Sequence, residues 1–318
     1  MLKTLPCAKE FIHAARVFSL SLAIGSTSMG IIASWHDGSL AALETSKAVL
    51  LIVLITVAGL AAQLGANLIN DYFEGSFKYK NPVVPTNPLA PAVTTMRFLN
   101  RNRTVFDVFV FLSGIAALGL AGLIGLYLTY ISSWPMLLIG LLGLAGSYGY
   151  TGEPIVYKNK GLGALLSFIL MGPLMNLGAY YPIARIFSWN PIILGLPLSL
   201  LIPALMISNE MRDFEGDNGL EIGTLSNRIG RRWTLFIYDS LLACSLIAIV
   251  VLVVLELYPV QSLLSLLFLP IALEARRRVV RHKNSGIRLT NLLHQCLFIT
   301  LVITFVLTKP QLAVIADT

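Results

Sequence analysis

The sequence predicts an all-α integral membrane protein of about nine transmembrane helices, with most of its charge at one face of the bilayer. Three observations lead there. The 318 residues are 56% hydrophobic and only 12% charged, against about 25% charged in a soluble globular chain. The apolar residues fall in runs of roughly 18 to 28, the length that crosses a hydrocarbon core of about 30 Å, where only helices satisfy their own backbone. All but three of the 23 Lys and Arg residues lie in alternate connections between those runs.

Span one, 11–34, carries Arg16 near its start. Met1 to Glu10 shows no signal pattern with a small-residue cleavage site, so a retained first helix is expected. Span two, 46–70, runs into an acidic stretch, and span three, 105–130, is long enough to tilt. Span four, 135–150, is short, with Gly140, Gly143, Gly146 and Gly149 forming a small-residue face that lets helices approach. Spans five and six, 162–184 and 192–211, contain Pro173, Pro182, Pro197 and Pro203, which membrane helices tolerate. Span seven is 232–257. Span eight, 259–276, leads into Arg276-Arg277-Arg278, and span nine is 288–307. Residues 1–318 read as one membrane domain, with 71–104 and 212–231 as cytoplasmic loops. Cys7, Cys244 and Cys296 are scattered and give neither a disulfide framework nor a metal spacing.

Lys47, Arg185 and Lys309 are the three cations set apart from the rest. The positive-inside rule therefore puts the N-terminus in the cytoplasm and the C-terminus outside, which requires an odd number of spans. The net charge of +7 is accounted for by topology. The chain has no nucleic-acid motif, and no nucleic-acid partner is expected.

Two acidic stretches share a pattern. Span two ends in Asn67-Leu-Ile-Asn70-Asp71-Tyr72-Phe73-Glu74, and span six ends in Asn209-Glu210-Met211-Arg212-Asp213-Phe214-Glu215-Gly216-Asp217. Helical spacing puts Asn67, Asp71 and Glu74 on one face, and Asn209, Asp213 and Asp217 on another. The two stretches are four spans apart, as a weak duplication of a helix quartet would place them. Carboxylates at membrane depth cost about 2.5 kcal/mol or more each. A matched pair of such clusters suggests a divalent cation between them, and Mg²⁺ suits oxygen donors supplemented by substrate phosphates. Two such patches facing each other would hold Mg²⁺ bridged by a diphosphate.

At these residues the chain resembles the UbiA superfamily of membrane prenyltransferases. Asn70-Asp71-x-x-Glu74 matches the family's first motif in part, and Asp213-x-x-x-Asp217 matches the second in full. Tyr150-Thr-Gly-Glu-Pro-Ile-Val-Tyr157-Lys158-Asn-Lys160-Gly161-Leu-Gly163 is similar to a segment of the 1,4-dihydroxy-2-naphthoate polyprenyltransferase branch, as is Arg212-Asp213-x-Glu215-x-Asp217 followed by Thr224-Leu225. There are departures: Glu74 stands for the usual Asp, Lys78 or Lys80 occupies the third acidic position, and Ile222-Gly223 replaces a Lys-Arg pair.

The resemblance implies a UbiA-like helical bundle and transfer of a polyprenyl group from its diphosphate to an aromatic acceptor, and the branch-like stretch favours 1,4-dihydroxy-2-naphthoate, in menaquinone biosynthesis. The cofactor would be Mg²⁺, the site cytoplasmic, and the bilayer the solvent for the isoprenoid tail. It implies Asp71, Glu74, Asp213 and Asp217 as metal ligands, and Asn67, Asn70 and Asn209 as neutral oxygen donors. Lys158 and Arg212 would meet diphosphate oxygens, and Lys78 would supply a fixed positive charge. Tyr150 and Tyr157 would stabilise an allylic cation with their ring faces or orient the acceptor, and Arg16 would contact an acidic acceptor group. Cyclisation of the prenyl chain without an acceptor, transfer to a different acceptor, non-catalytic isoprenoid binding and secondary transport stay open as alternatives.

Overall fold

The computed structural model describes residues 8–78, 105–219, 222–281 and 283–308. Helix α1 (Ala8–Ala15) is followed by a 3₁₀ turn (Val17–Ser19), α2 (Leu20–His36), α3 (Thr45–Lys78), α4 (Val105–Ile131) and α5 (Trp134–Gly149). A 3₁₀ turn (Tyr157–Lys160) leads to α6 (Gly163–Ile169), which passes through a π turn (Leu170–Leu174) into α7 (Met175–Ala184). Then come α8 (Asn190–Gly219), α9 (Leu225–Val254), a 3₁₀ stretch (Val260–Phe268), α10 (Leu269–Val280) and α11 (Asn284–Leu307). No strand occurs among the described residues.

Seven of these stretches are long and apolar enough to cross a bilayer, among the described residues. Trp134–Gly149 is a shorter apolar helix, and Val260–Val280 is divided between 3₁₀ and α geometry. The π turn in the fourth of these stretches, Gly163–Ala184, coincides with Pro173, whose missing N–H and ring widen the helix locally.

Helix α8 is the axis of the bundle. About 72% of its apolar stretch is buried, against 22% for α4. Leu194, Leu198, Leu201 and Ile207 of α8 form the main core with Met29 and Ile32 of α2, Tyr238 and Leu242 of α9, and Leu293, Leu297 and Leu301 of α11. Phe109, Leu112, Leu123 and Leu126 of α4 are exposed on the outer surface, where acyl chains rather than water meet them. Close crossing in the centre depends on two glycines around Asn176 of α7. A Cβ on Gly30 would lie 2.3 Å from the Asn176 carbonyl oxygen, and one on Gly195 would lie 1.8 Å from its Nδ2.

Contacts define two ends. At one, the Tyr180 hydroxyl donates to Asp37 Oδ2 (2.6 Å), Tyr181 meets Ser133 (2.5 Å), the Tyr258 hydroxyl donates to the Leu194 carbonyl, and the rings of His36 and Phe305 lie 6.2 Å apart. At the other, Asn291 Nδ2 donates to the Phe18 carbonyl (3.0 Å), the rings of Phe11 and Phe109 lie 5.6 Å apart, and Arg276 pairs with Asp239 (2.8 Å). Each successive apolar stretch therefore reverses direction. The basic residues of the α10–α11 turn and of the α9 start share the second end.

The predicted spans stop too early in two places. Segments 71–104 and 212–231 read as loops from hydropathy, but α3 continues through 71–78, α8 continues to Gly219, and α9 already begins at Leu225. Hydropathy reports the bilayer edge, whereas a helix ends only where its hydrogen-bond ladder is interrupted. Both acidic stretches are thus the polar last turns of long helices. At the start of α9 the Thr224 hydroxyl accepts from the Asn227 N–H (3.5 Å), an N-cap.

Candidate active site at the carboxylate-bearing helix tips

The α3 tip is built against the first span. Asn67 is buried, and its Nδ2 donates to the Ala15 carbonyl (2.9 Å) and the Ser19 hydroxyl (3.0 Å), while its Oδ1 accepts from Gln63 Nε2 (3.2 Å). These bonds brace the break between α1 and α2, where Arg16 adopts a left-handed backbone with φ 46°. A non-glycine residue there is strained and needs such support. Asn67, expected as a neutral donor to substrate, has its amide engaged in holding Arg16. Asn70 is 2% exposed and Asp71 is half-buried. Tyr72 and Phe73, also buried, stack with Phe111 of α4 (4.8 and 6.2 Å between centroids), and Phe73 meets Tyr148 of α5 edge-on at 6.5 Å. Glu74 and Lys78 lie on the last turns of α3, with side chains outside the described residues, as is all of Lys80.

The α8 tip is more open. Arg212 Nε donates to Asp213 Oδ1 (2.8 Å) and its Nη2 donates to Oδ2, a bidentate pair with both groups exposed. Asn209 and Asp217 are half-buried. Arg231 of α9 pairs with Glu215 (3.2 Å) and lies 5.3 Å from the Phe214 ring centroid, which fastens the tip to α9.

The connection 150–162 runs from α5, whose Tyr148 packs on the α3 tip, to α8 and α9. Its Tyr150 and Tyr157 rings meet edge to face at 5.5 Å, and Lys158 Nζ sits 5.9 Å from the Tyr150 ring centroid. The Tyr157 hydroxyl donates to the Gly146 carbonyl (3.0 Å), and burial, with Tyr150 beside it, pushes that hydroxyl above the usual phenol range. Tyr157 is therefore a neutral ring at physiological pH. The Tyr150 hydroxyl reaches Met206 Sδ of α8 (3.6 Å). Arg228 of α9 ties the connection down, donating from Nε to the Gly223 carbonyl (2.8 Å) and from Nη2 to the Asn159 carbonyl (3.3 Å).

Phe73–Tyr148 on one side and Tyr150–Met206 on the other put both acidic tips at the same end of the bundle, joined by this connection. One residue that the motif pattern passed over belongs here: Glu210, 5% exposed, accepts from the Ser226 N–H (2.9 Å) and hydroxyl (2.8 Å). Its spacing of three from Asp213 and seven from Asp217 places it on their helical face, a signal the sequence did contain.

The donor set is carboxylate and amide oxygen, which fits a hard cation such as Mg²⁺. Among the described residues no three His, Cys, Asp or Glu side chains converge on one point.

The chain is 27% identical over 205 residues to 1,4-dihydroxy-2-naphthoate octaprenyltransferase of Bacillus subtilis (strain 168), covering 64% of this chain and 63% of that relative. It is 27% identical over 227 residues to the protein of the same name from Mycobacterium leprae (strain TN), covering 71% of this chain and 73% of the relative. In fold it is similar to a UbiA homologue from Archaeoglobus fulgidus whose structure was determined bound to DMAPP and Mg²⁺, with a TM-score of 0.56 and 14% identity, over 94% of this chain and 99% of the other. The UbiA prenyltransferase family profile matches residues 23–302, from the first span through most of the last and across both acidic tips, and the chain belongs to that family.

Proposed function

We propose that this protein transfers a polyprenyl group from polyprenyl diphosphate to an aromatic acceptor, with 1,4-dihydroxy-2-naphthoate as the acceptor and menaquinone biosynthesis as the setting. The observation that carries this proposal is the 150–162 connection. It holds two tyrosine rings and a lysine together beside α8, and it follows directly on Tyr148 of α5, which packs against Phe73 of the α3 tip. The acceptor follows from the names of the two bacterial relatives and from the Tyr150–Gly163 motif.

Asp71, Glu74, Asp213 and Asp217 would hold Mg²⁺, which when bound offsets diphosphate charge and assists leaving-group departure. Lys158 and Arg212 meet diphosphate oxygens, and Lys78 adds a fixed positive charge on the α3 tip. The rings of Tyr150 and Tyr157 face the allylic carbon as it gains positive charge. Asn70 and Asn209 orient phosphate oxygens or water. Arg16, held in its strained backbone by Asn67, meets an acidic group of the acceptor. Purified protein in nanodiscs, given Mg²⁺, a labelled polyprenyl diphosphate and a panel of aromatic acceptors, is expected to prenylate the naphthoate fastest. Equal release of diphosphate with and without every acceptor would indicate a cyclase or hydrolase and overturn the proposal.

In the bilayer the chain crosses nine times, with the acidic tips and the α8–α9 turn on the cytoplasmic side, the N-terminus inside and the C-terminus outside. The cation distribution supports this orientation. In a Cys7→Ala, Cys244→Ala, Cys296→Ala background, Asn190→Cys should react with an impermeant maleimide on intact spheroplasts. Asn284→Cys should react only after permeabilisation. The reverse labelling would invert the topology and sink the cytoplasmic assignment.

A further inference from the structure

Glu210 has no part in the proposed metal set, yet it is a carboxylate with 5% exposure one turn before Asp213. Burying a charged or polar group without partners is unfavourable, and its partners are specific. Oε2 accepts both the Ser226 N–H and the Ser226 hydroxyl, at 2.9 and 2.8 Å. The Ser226 amide is in the first turn of α9, where helix N–H groups lack intrahelical acceptors and the helix dipole favours negative charge. Oε1 faces the other way. A Cβ built on Gly163 would lie 3.7 Å from Oε1 and 3.6 Å from Lys158 Cα, so Lys158 and Glu210 converge on the same face of Gly163. The same lysine's Nζ sits 5.9 Å from the Tyr150 ring centroid.

We propose that Glu210 is a positioning residue. One oxygen fixes the first turn of α9 to α8, and its charge holds Lys158 over Tyr150, so that the 150–162 connection presents one fixed cation beside the Asp213–Asp217 face. The consequence for turnover rests on the prenyl-transfer function proposed above; the latch itself does not.

Glu210→Gln keeps the shape and an oxygen for Ser226 but removes the charge. Lysine acylation of the full-length protein in nanodiscs, quantified by peptide mass spectrometry, reads the latch directly. With the opposing charge gone, Lys158 should react about tenfold faster, while Lys47 and Lys283 keep their rates. Ser226→Ala removes the hydroxyl bond to Glu210 but keeps the amide bond and the charge. It should lower the thermal midpoint and leave Lys158 labelling unchanged. In prenyl transfer, Glu210→Gln should raise KM for the diphosphate substrate about tenfold with kcat within about threefold, the pattern of a lost binding contact, and Glu210→Asp should recover part of it. Lys158 labelling within twofold of wild type in Glu210→Gln, or an equal rise in Ser226→Ala, overturns the latch even if prenyl transfer is intact. Faster Lys158 labelling in a protein that transfers no prenyl group upholds the latch and removes the reaction instead.

Discussion

Asp213→Asn is expected to lower kcat for prenyl transfer by about 10²-fold or more, the size of effect seen when one electrostatic contact to a developing charge is lost. The same substitution should leave the thermal midpoint almost unmoved. Asp213 and Arg212 form an exposed bidentate pair, and exposed pairs contribute about 0–1 kcal/mol to stability. A third measurement goes in the opposite direction. Removing the carboxylate releases the Arg212 guanidinium from its bidentate partner, so the metal-free protein should bind a non-hydrolysable thiodiphosphate analogue more tightly than wild type. Turnover falling while metal-free affinity rises is a combination that misfolding cannot give. Asp71→Asn should show the loss of turnover with a smaller gain in affinity, because it leaves the Arg212–Asp213 pair in place. The double variant should fall well short of the product of the two single effects, as expected for groups acting on one diphosphate. Transfer within about threefold of wild type in Asp213→Asn would remove the α8 tip from the chemistry.

Much of this arrangement was legible before any coordinates. Apolar runs set the helices, and alternate cation-rich connections set the ends. The paired Asn-x-x-x-Asp stretches marked both tips. Hydropathy could not place the helix ends, because Asp71 to Lys78 and Arg212 to Gly219 are polar yet continue the backbone ladder. Nor could the repeat distinguish its two asparagines. Asn67 and Asn209 occupy matching positions in sequence, yet Asn67 bonds Ala15 and Ser19 across the first span. That role depends on the left-handed turn at Arg16, a conformation no residue type at that position advertises. The contact between Phe73 and Tyr148 joins elements remote in sequence and is set by how α3, α4 and α5 pack. Glu210 was passed over for a simpler reason. Matching the sequence to an acidic motif directs attention to the motif positions, whereas helical periodicity applied to the same stretch puts Glu210 in line with Asp217.

Withdrawing divalent cations should abolish binding of the diphosphate substrate as well as its turnover. The charges at the tips explain why. Asp71, Glu74, Asp213, Glu215 and Asp217 are all acidic, and of the nearby cations Arg212 is paired with Asp213 and Arg231 with Glu215. Lys158 sits 5.9 Å from the Tyr150 ring centroid. On the proposed reading an incoming diphosphate meets carboxylates whose charge a divalent cation offsets. Thermal unfolding in nanodiscs supplies a readout independent of catalysis. The thiodiphosphate analogue should raise the midpoint in the presence of Mg²⁺ and leave it unchanged after chelation, since a ligand stabilises only the state it binds. Restoring Mg²⁺ should restore the shift. Ca²⁺, larger and less demanding in geometry, should restore binding more fully than turnover. An analogue-induced shift of equal size after exhaustive chelation would mean that Lys158, Arg212 and their basic neighbours suffice to bind the diphosphate, and the carboxylate tips would then need a different explanation.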